Sequence, residues 1–275
     1  MELEGACVVV TGGARGIGKA MAAAFAARGG RVVVAARSRD ELEAAVAELG
    51  AGGGRLLSAP TDVTDPEQVE RMATLAEREF GPVSVLVNNA GSLTAVGPTW
   101  EVDRGQWLTD VRTNLWGTFL CCRAIMPGMA ARGCGYVINL VGGGATSPHV
   151  YGSAYGCSKA GVLAFTETLA LEAADTGVKV FALSPGLVRT RMTTALAEQP
   201  AGRRWRPFIG QMLKDGRDVP PEEAAQLALK LVSGRADRLS GCLFSVREDF
   251  DRIVQAADSV LASDGLRLRL RPWSN

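Results

Sequence analysis

Val8-Val9-Val10-Thr11-Gly12-Gly13-Ala14-Arg15-Gly16-Ile17-Gly18 joins an apolar, β-branched run to a glycine-rich turn that opens onto an alanine-rich amphipathic stretch. Residues 6–11 read as a strand and 16–28 as a helix, so the glycines lie where a strand hands over to a helix. Glycine there permits a tight turn and lets backbone N–H groups and the helix N-terminus approach a pyrophosphate with no Cβ in the way. The spacing departs from G-x-G-x-x-G, and glycine loops also occur as plain turns. The strand-loop-helix setting is what points to a nucleotide.

The same alternation continues along the chain. Strand-like runs cover 31–36, 55–59, 83–88, 135–140, 178–184 and 242–246, separated by helix-like runs at 40–49, 66–80, 106–132, 153–174 and 221–233. Several strands are apolar almost throughout, as strands covered on both faces are. The pattern predicts an α/β fold, a doubly wound parallel sheet of the Rossmann-like kind, over residues 1–247, with a C-terminal extension at 248–275. Such sheets bind ligands at the carboxyl ends of their strands, so chemistry is sought in the loops that follow them.

At 275 residues, with 47% hydrophobic and 21% charged content, the chain can bury one large core. Lys+Arg 30 against Asp+Glu 29 leaves no global field of the sort that nucleic acid or anionic membrane demands, so the expected partners are small molecules. Met1-Glu2-Leu3-Glu4 carries no basic region before an apolar run, and no apolar stretch is long enough to span a bilayer; a soluble cytoplasmic protein is expected. The six cysteines show no paired metal spacing and read as reduced, buried apolar residues, with no metal site.

The end of the second strand selects the cofactor. An NAD site of this architecture places an acid there to hold the ribose 2′-hydroxyl, whereas this chain reads Ala35-Ala36-Arg37-Ser38. An acid would repel a phosphate and an arginine attracts it. Arg15 in the glycine loop converges on the same spot, giving two guanidiniums suited to a phosphate, so NADP(H) is expected over NAD(H).

Tyr155-Gly156-Cys157-Ser158-Lys159 sets a phenol and an ammonium four residues apart, stacked on one face of a helix. A free tyrosine titrates at about 10, and a nearby cation lowers that value, giving a proton donor and acceptor for neutral pH. Alone, the spacing is common on solvated helix faces.

Together these residues resemble the short-chain dehydrogenase/reductase family. Thr11 to Gly18 is similar to its T-G-x-x-x-G-x-G loop, Asn88-Asn89-Ala90-Gly91 to its N-N-A-G motif, Tyr155 to Lys159 to its Y-x-x-x-K motif, and Pro185-Gly186-Leu187-Val188-Arg189-Thr190 to the segment meeting the nicotinamide carboxamide. The resemblance implies that Gly12, Arg15, Gly16, Ile17 and Gly18 hold the phosphates, Arg37 and Ser38 the adenosine end, and Asp62 and Val63 the adenine. It further implies that Asn89, Ala90 and Gly91 support the cofactor, Val188 and Thr190 hold the carboxamide, and Lys159 bonds the nicotinamide ribose. Tyr155 would donate the proton, Lys159 would steady it, and Asn114 would bind a relay water. A homodimer or homotetramer is implied as well.

Departures from the family pattern are as informative. The family places a serine thirteen positions before the tyrosine, and here that position is Gly142, with neither Ser nor Thr in 139–145. Losing one oxyanion donor typically costs ~100- to ~1000-fold in rate. Ser147, Ser153 or His149 fills the role through a gap in the alignment, or the substrate brings its own donor, or the chain no longer performs ordinary carbonyl reduction. Ser153 is expected to cap the tyrosine helix instead. His149, the single histidine, reads first as a loop residue and next as a substitute donor. Cys157 reads as a core residue, not a nucleophile.

Residues 190–218 hold the place of a substrate lid, with Met192, Trp205, Phe208 and Met212 for an apolar substrate. Arg203, Arg204 and Arg206 read either as an acid-binding set or as a solvated face. After a helix-like run to Leu261, the alternation in 266–271 reads as an edge strand, and the extension is expected to cover the pocket or an interface. The expected function is NADP(H)-dependent interconversion of a ketone and a secondary alcohol on a hydrophobic metabolite. The alternatives are a non-redox isomerase, dehydratase or cyclase, and a nucleotide sensor or scaffold.

Overall fold

The computed structural model describes residues 1–269. Its strands are β1 (Cys7–Thr11), β2 (Arg31–Ala36), β3 (Arg55–Pro60), β4 (Val83–Asn88), β5 (Gly135–Leu140), β6 (Val178–Ser184) and β7 (Leu243–Ser245), joined in one sheet in the order β3-β2-β1-β4-β5-β6-β7. Every pairing is parallel. The chain runs outward from β1 to β3 and then returns to the far side of β1, so the loops after β1 and β4 part and leave a crevice between them.

The helices are α1 (Gly16–Ala26), α2 (Arg39–Gly50), α3 (Pro66–Phe80), α4 (Arg104–Val111), α5 (Gly117–Arg132), α6 (Ser153–Glu172), α7 (Arg191–Glu198), α8 (Pro200–Trp205), α9 (Pro207–Lys214), α10 (Pro221–Leu231), α11 (Phe250–Gln255) and α12 (Ala257–Ala262). Successive strand residues point to opposite faces, and both faces are covered. Val8, Val10, Val32 and Val34 pack against Met21 and Phe25 of α1 and Ala228 and Leu231 of α10. Cys7, Val9, Val33 and Ala35 pack against Met72 and Ala76 of α3 and Cys121 and Ile125 of α5. This two-sided burial is why several strands, β1 and β2 among them, read as apolar runs. No described helix is long and apolar enough to cross a membrane.

Three expectations need correcting, and the 190–218 segment takes a definite form. The run 106–132 is not one helix: a π-helical turn at Arg112–Trp116 separates α4 from α5 and carries Asn114. Residues 190–218 form three short helices, α7 to α9, whose Leu196, Ile209 and Leu213 make a small core with Leu93, Val96 and Leu187. Cys134 and Cys157 are exposed, so neither is a core residue. In the extension, 266–269 are not a strand: positive φ at Asp264 and Leu266 turns the chain, and Leu266 O accepts one bond from Leu243 N at 2.9 Å. Arg267 and Arg269 instead pair with Glu167 and Asp264, while Leu270 and Arg271 lie outside the described residues. The extension packs through Phe250 and Ala257 onto the α1 and α10 face, and none of its described residues lines the crevice.

Candidate active site

The crevice is a cavity of about 1000 Å³. Its floor is a clasp between the loops after β1 and β4. Thr11 Oγ1 accepts from Asn89 N at 3.0 Å and Ala90 N at 3.1 Å, while Asn89 Nδ2 donates to Thr11 O and Gly12 O at 2.9 and 3.1 Å. The clasp needs glycine: a Cβ on Gly12 would lie 2.9 Å from Asn89 Nδ2 and from Ala90 Cα, and Gly12 and Gly16 have φ of +62° and +53°. Gly18 lies under Asn89 and does not face the cavity. Asn88 works elsewhere, its Nδ2 donating to Asn139 Oδ1 on β5 at 2.9 Å.

At one end the cavity is lined by Arg15, Arg37, Ser38, Asp62 and Val63. Ser38 caps α2 by accepting from Glu41 N at 3.4 Å. Glu41 was not singled out by the sequence, yet its carboxylate accepts from Arg15 at 2.6 Å and from Arg191 at 2.9 Å. Arg37 pairs with no carboxylate among the described residues. Asp62 holds its own turn, accepting from Thr64 N and Oγ1 at 2.9 and 2.8 Å.

At the other end stand Tyr155, Lys159, Gly91, Pro185 and Thr190. Lys159, 4% exposed, donates to Leu140 O at 2.7 Å, and its Nζ lies 5.8 Å from the Tyr155 ring centre. Burial pushes the ammonium down to about 8. The phenol is not lowered as the spacing predicts: burial pushes it up to about 12, opposed by the Arg206 guanidinium and reinforced by Asp110. Thr190 caps α7, accepting from Thr193 N at 3.4 Å. Val188 is buried, its carbonyl accepting from Thr193 Oγ1 at 2.8 Å, and Gly186 packs toward Val219 and Val246; neither lines the cavity.

Asn114 does not line the cavity either; it braces it. Its Oδ1 accepts from Ser92 N at 2.8 Å, and its Nδ2 donates to Ser92 O and to Ser158 Oγ, both at 2.9 Å. One helical step earlier, Asp110 is fully buried and accepts from Ser92 Oγ (2.6 Å), Thr94 Oγ1 (2.9 Å) and the Thr94 and Ala95 N–H groups (2.9 and 3.0 Å). These bonds fix the loop after Gly91. Asp110 escaped the sequence reading, although its spacing of four from Asn114 is a legible signal of a shared face.

Gly142 does face the phenol: a Cβ there would lie 2.5 Å from Tyr155 Oη. Ser147 is exposed, and Ser153 is not the helix cap, because Gly152 takes that place while Ser153 Oγ accepts from Trp107 Nε1 at 3.1 Å. His149 places its ring 5.2 Å from that of Tyr155. Glycines 143, 144, 152 and 156 wrap the His149 side chain so closely that Cβ atoms on them would meet it at 2.7 to 3.3 Å. Burial, then the Arg206 charge, pushes its pKa down to about 4. The folded protein therefore binds this proton less readily than the unfolded chain, which titrates at about 6.5. His149 thus costs stability as pH falls through the window from about 6.5 to 4. His149→Gln is expected to flatten the fall of Tm with acidity in that window relative to the parent protein, as read by thermal melts at stepped pH; parallel curves contradict the assignment.

A dinucleotide fits these residues. The side-chain-free turn at Gly12 and Gly16, the guanidiniums at one end and the Tyr155–Lys159 pair at the other span one continuous cavity. Known proteins agree with that fit. A family model described as short chain dehydrogenase matches residues 6–201. Galactitol 2-dehydrogenase (L-tagatose-forming) of Cereibacter sphaeroides is 38% identical over 247 residues, covering 89% of this chain and 94% of that protein. The 3-oxoacyl-(acyl-carrier-protein) reductase FabG of Escherichia coli (strain K12) is 35% identical over 242 residues, covering 88% and 95%. Among solved structures, actinorhodin polyketide ketoreductase with NADPH superposes with a TM-score of 0.79 at 32% identity, covering 87% of this chain and 94% of that one.

Proposed function

The chain belongs to the short chain dehydrogenase family, and on that premise we propose that it interconverts a ketone and a secondary alcohol with NADP(H), using Tyr155 as general acid and base. The observation that carries this reading is the phenol oxygen of Tyr155 beside Gly142, at the end of a dinucleotide-sized cavity, with Lys159 buried next to it. The bound dinucleotide supplies or accepts the hydride. Tyr155 gives its proton to the carbonyl oxygen in one direction and takes it back in the other. Lys159 places a positive charge against the phenol, and Asn114 holds the Ser92 loop and, through Ser158, the tyrosine helix. The lid helix α7 offers Met192 and Leu196 to an apolar substrate.

The arginines at the adenosine end support NADP(H). Arg37 pairs with no carboxylate among the described residues, and Arg15 needs only to leave an exposed contact with Glu41, which is worth little. Arg37→Ala is expected to weaken NADPH about 10- to 100-fold, the worth of one charge-assisted bond, and to leave NADH nearly unchanged. Titration calorimetry with both cofactors decides it, and equal affinity of the parent protein for the two sinks the assignment. Consumption of NADPH with a ketone panel tests the reaction itself. Binding with proton-transfer turnover but no net redox favours the isomerase, dehydratase or cyclase reading, which the bare Gly142 motivates. We further propose a homodimer or homotetramer, supported by the exposed apolar Leu108, Trp116 and Leu171.

A further inference from the structure

We infer that the substrate carries a carboxylate close to its reacting carbonyl and that Arg206 is the residue that holds it. The inference rests on the ketone-alcohol reading and narrows it to an oxo acid and its hydroxy acid.

Arg206 is 5% exposed, more deeply buried than any other arginine of the described chain. Arg15, Arg189, Arg191, Arg235, Arg238, Arg267 and Arg269 each meet a carboxylate, whereas no described carboxylate pairs with Arg206. Its Nη1 donates to Val150 O at 2.9 Å, and its Nε is buried with no partner. A buried guanidinium is stable only with a counter-charge or filled donors, and here both are incomplete. The guanidinium stacks over the Phe208 ring at 5.1 Å, and an anionic group is the partner that would complete its donors.

Position says which anion. Arg206 sits between α8 and α9, in the lid, and a Cβ on Gly152, at the head of the Tyr155 helix, would lie 3.1 Å from its Nη1. The same Cβ would lie 3.2 Å from His149 Nε2, a second buried nitrogen with no partner. Arg206 Nη1 and the unpartnered His149 Nε2 thus flank Gly152, three residues before Tyr155, and Arg206 Nε is the second nitrogen with no partner among the described residues. Neither Arg206 nor His149 lines the dinucleotide cavity, so a ligand they hold is distinct from the cofactor's phosphates.

The chemistry is consistent with reduction. Burial already keeps Tyr155 protonated, and a carboxylate on Arg206 would offset the guanidinium charge that opposes it, leaving the proton for the reacting oxygen. The carbonyl π bond breaks, a hydride from the dinucleotide forms the C–H bond, and the Tyr155 proton forms the O–H bond. The oxo acid gains two electrons and the dinucleotide loses two.

The test pairs each acid with its neutral analogue: benzoylformate, 3-acetylbenzoate and 4-acetylbenzoate, each beside its carboxamide, assayed with NADPH. At least one acid is expected to exceed its amide about 30-fold in kcat/KM, the worth of a charge-assisted pair. Arg206→Gln should bring that ratio close to one, and Arg206→Lys should leave it intermediate. A lid brace alone changes acid and amide alike. Ratios near one in the parent protein, or a ratio unmoved by Arg206→Gln, overturn the inference. If no ketone consumes NADPH, the ketone-alcohol reading has failed, and calorimetry on the NADPH complex decides the inference separately. Binding of benzoylformate at least about tenfold tighter than its amide, lost in Arg206→Gln, upholds it; equal binding overturns it.

Discussion

Tyr155→Phe is expected to lower kcat for ketone reduction by roughly 1000- to 10,000-fold, the upper part of the range for a positioned acid and base. Only the hydroxyl is removed. The ring stays 5.2 Å from His149 and 5.8 Å from the Lys159 ammonium, Ser158 still donates to the backbone carbonyl of residue 155, and the clasp at Thr11 and Asn89 is untouched. Folding and NADPH affinity should therefore be roughly unchanged. Loss of turnover with intact cofactor binding is the signature of a missing proton donor. Single-turnover kinetics beside NADPH titration separates the two quantities, and a variant that keeps more than about a tenth of parental kcat removes Tyr155 from the role.

The second large effect lies at Gly142, where a Cβ would fall 2.5 Å from Tyr155 Oη. That contact is too short to persist, so any side chain displaces the phenol. Gly142→Ala supplies crowding without a donor, and displacement of about 1 Å from the reacting atoms costs on the order of 100-fold in kcat. Gly142→Ser brings the same crowding together with a hydroxyl beside the reacting oxygen, worth ~100- to ~1000-fold. The serine variant is therefore expected to turn over about 100-fold faster than the alanine variant. Alanine equal to glycine would mean that the phenol tolerates the methyl; serine no better than alanine would mean that position 142 does not see the reacting oxygen.

The sheet was legible because its central strands are buried on both faces, and Val8 to Val10 or Val32 to Val34 read as the interior of a parallel sheet. The glycine turn, the arginine at position 37 and the Tyr155–Lys159 pair were legible because each depends on local spacing. What escaped depends on burial set by distant packing. Arg206 lies in Arg203-Arg204-Trp205-Arg206, a run that reads as solvated, and only the folding of α8 and α9 over the 144–152 loop buries one arginine of the three. The direction of the Tyr155 shift escapes the sequence for the same reason: the Tyr155–Lys159 spacing is visible there, and the burial that pushes the phenol up is not. Glu41 reads as the first turn of a surface helix until Arg15 and Arg191, 26 and 150 residues away in the chain, converge on it.

The π-helical turn at Arg112–Trp116 amounts to one residue inserted into what would otherwise be a continuous helix. It puts α4 and α5 out of phase by about 100°, so one segment can aim Asp110 and Asn114 at the Ser92 loop while the next aims Cys121 and Ile125 at the sheet. Deleting a single residue there would restore an unbroken helix and rotate one of those sets out of place. The chain is thus intolerant of a length change at a point where its composition looks ordinary, and a library of variants at this site should accept substitutions far more readily than deletions.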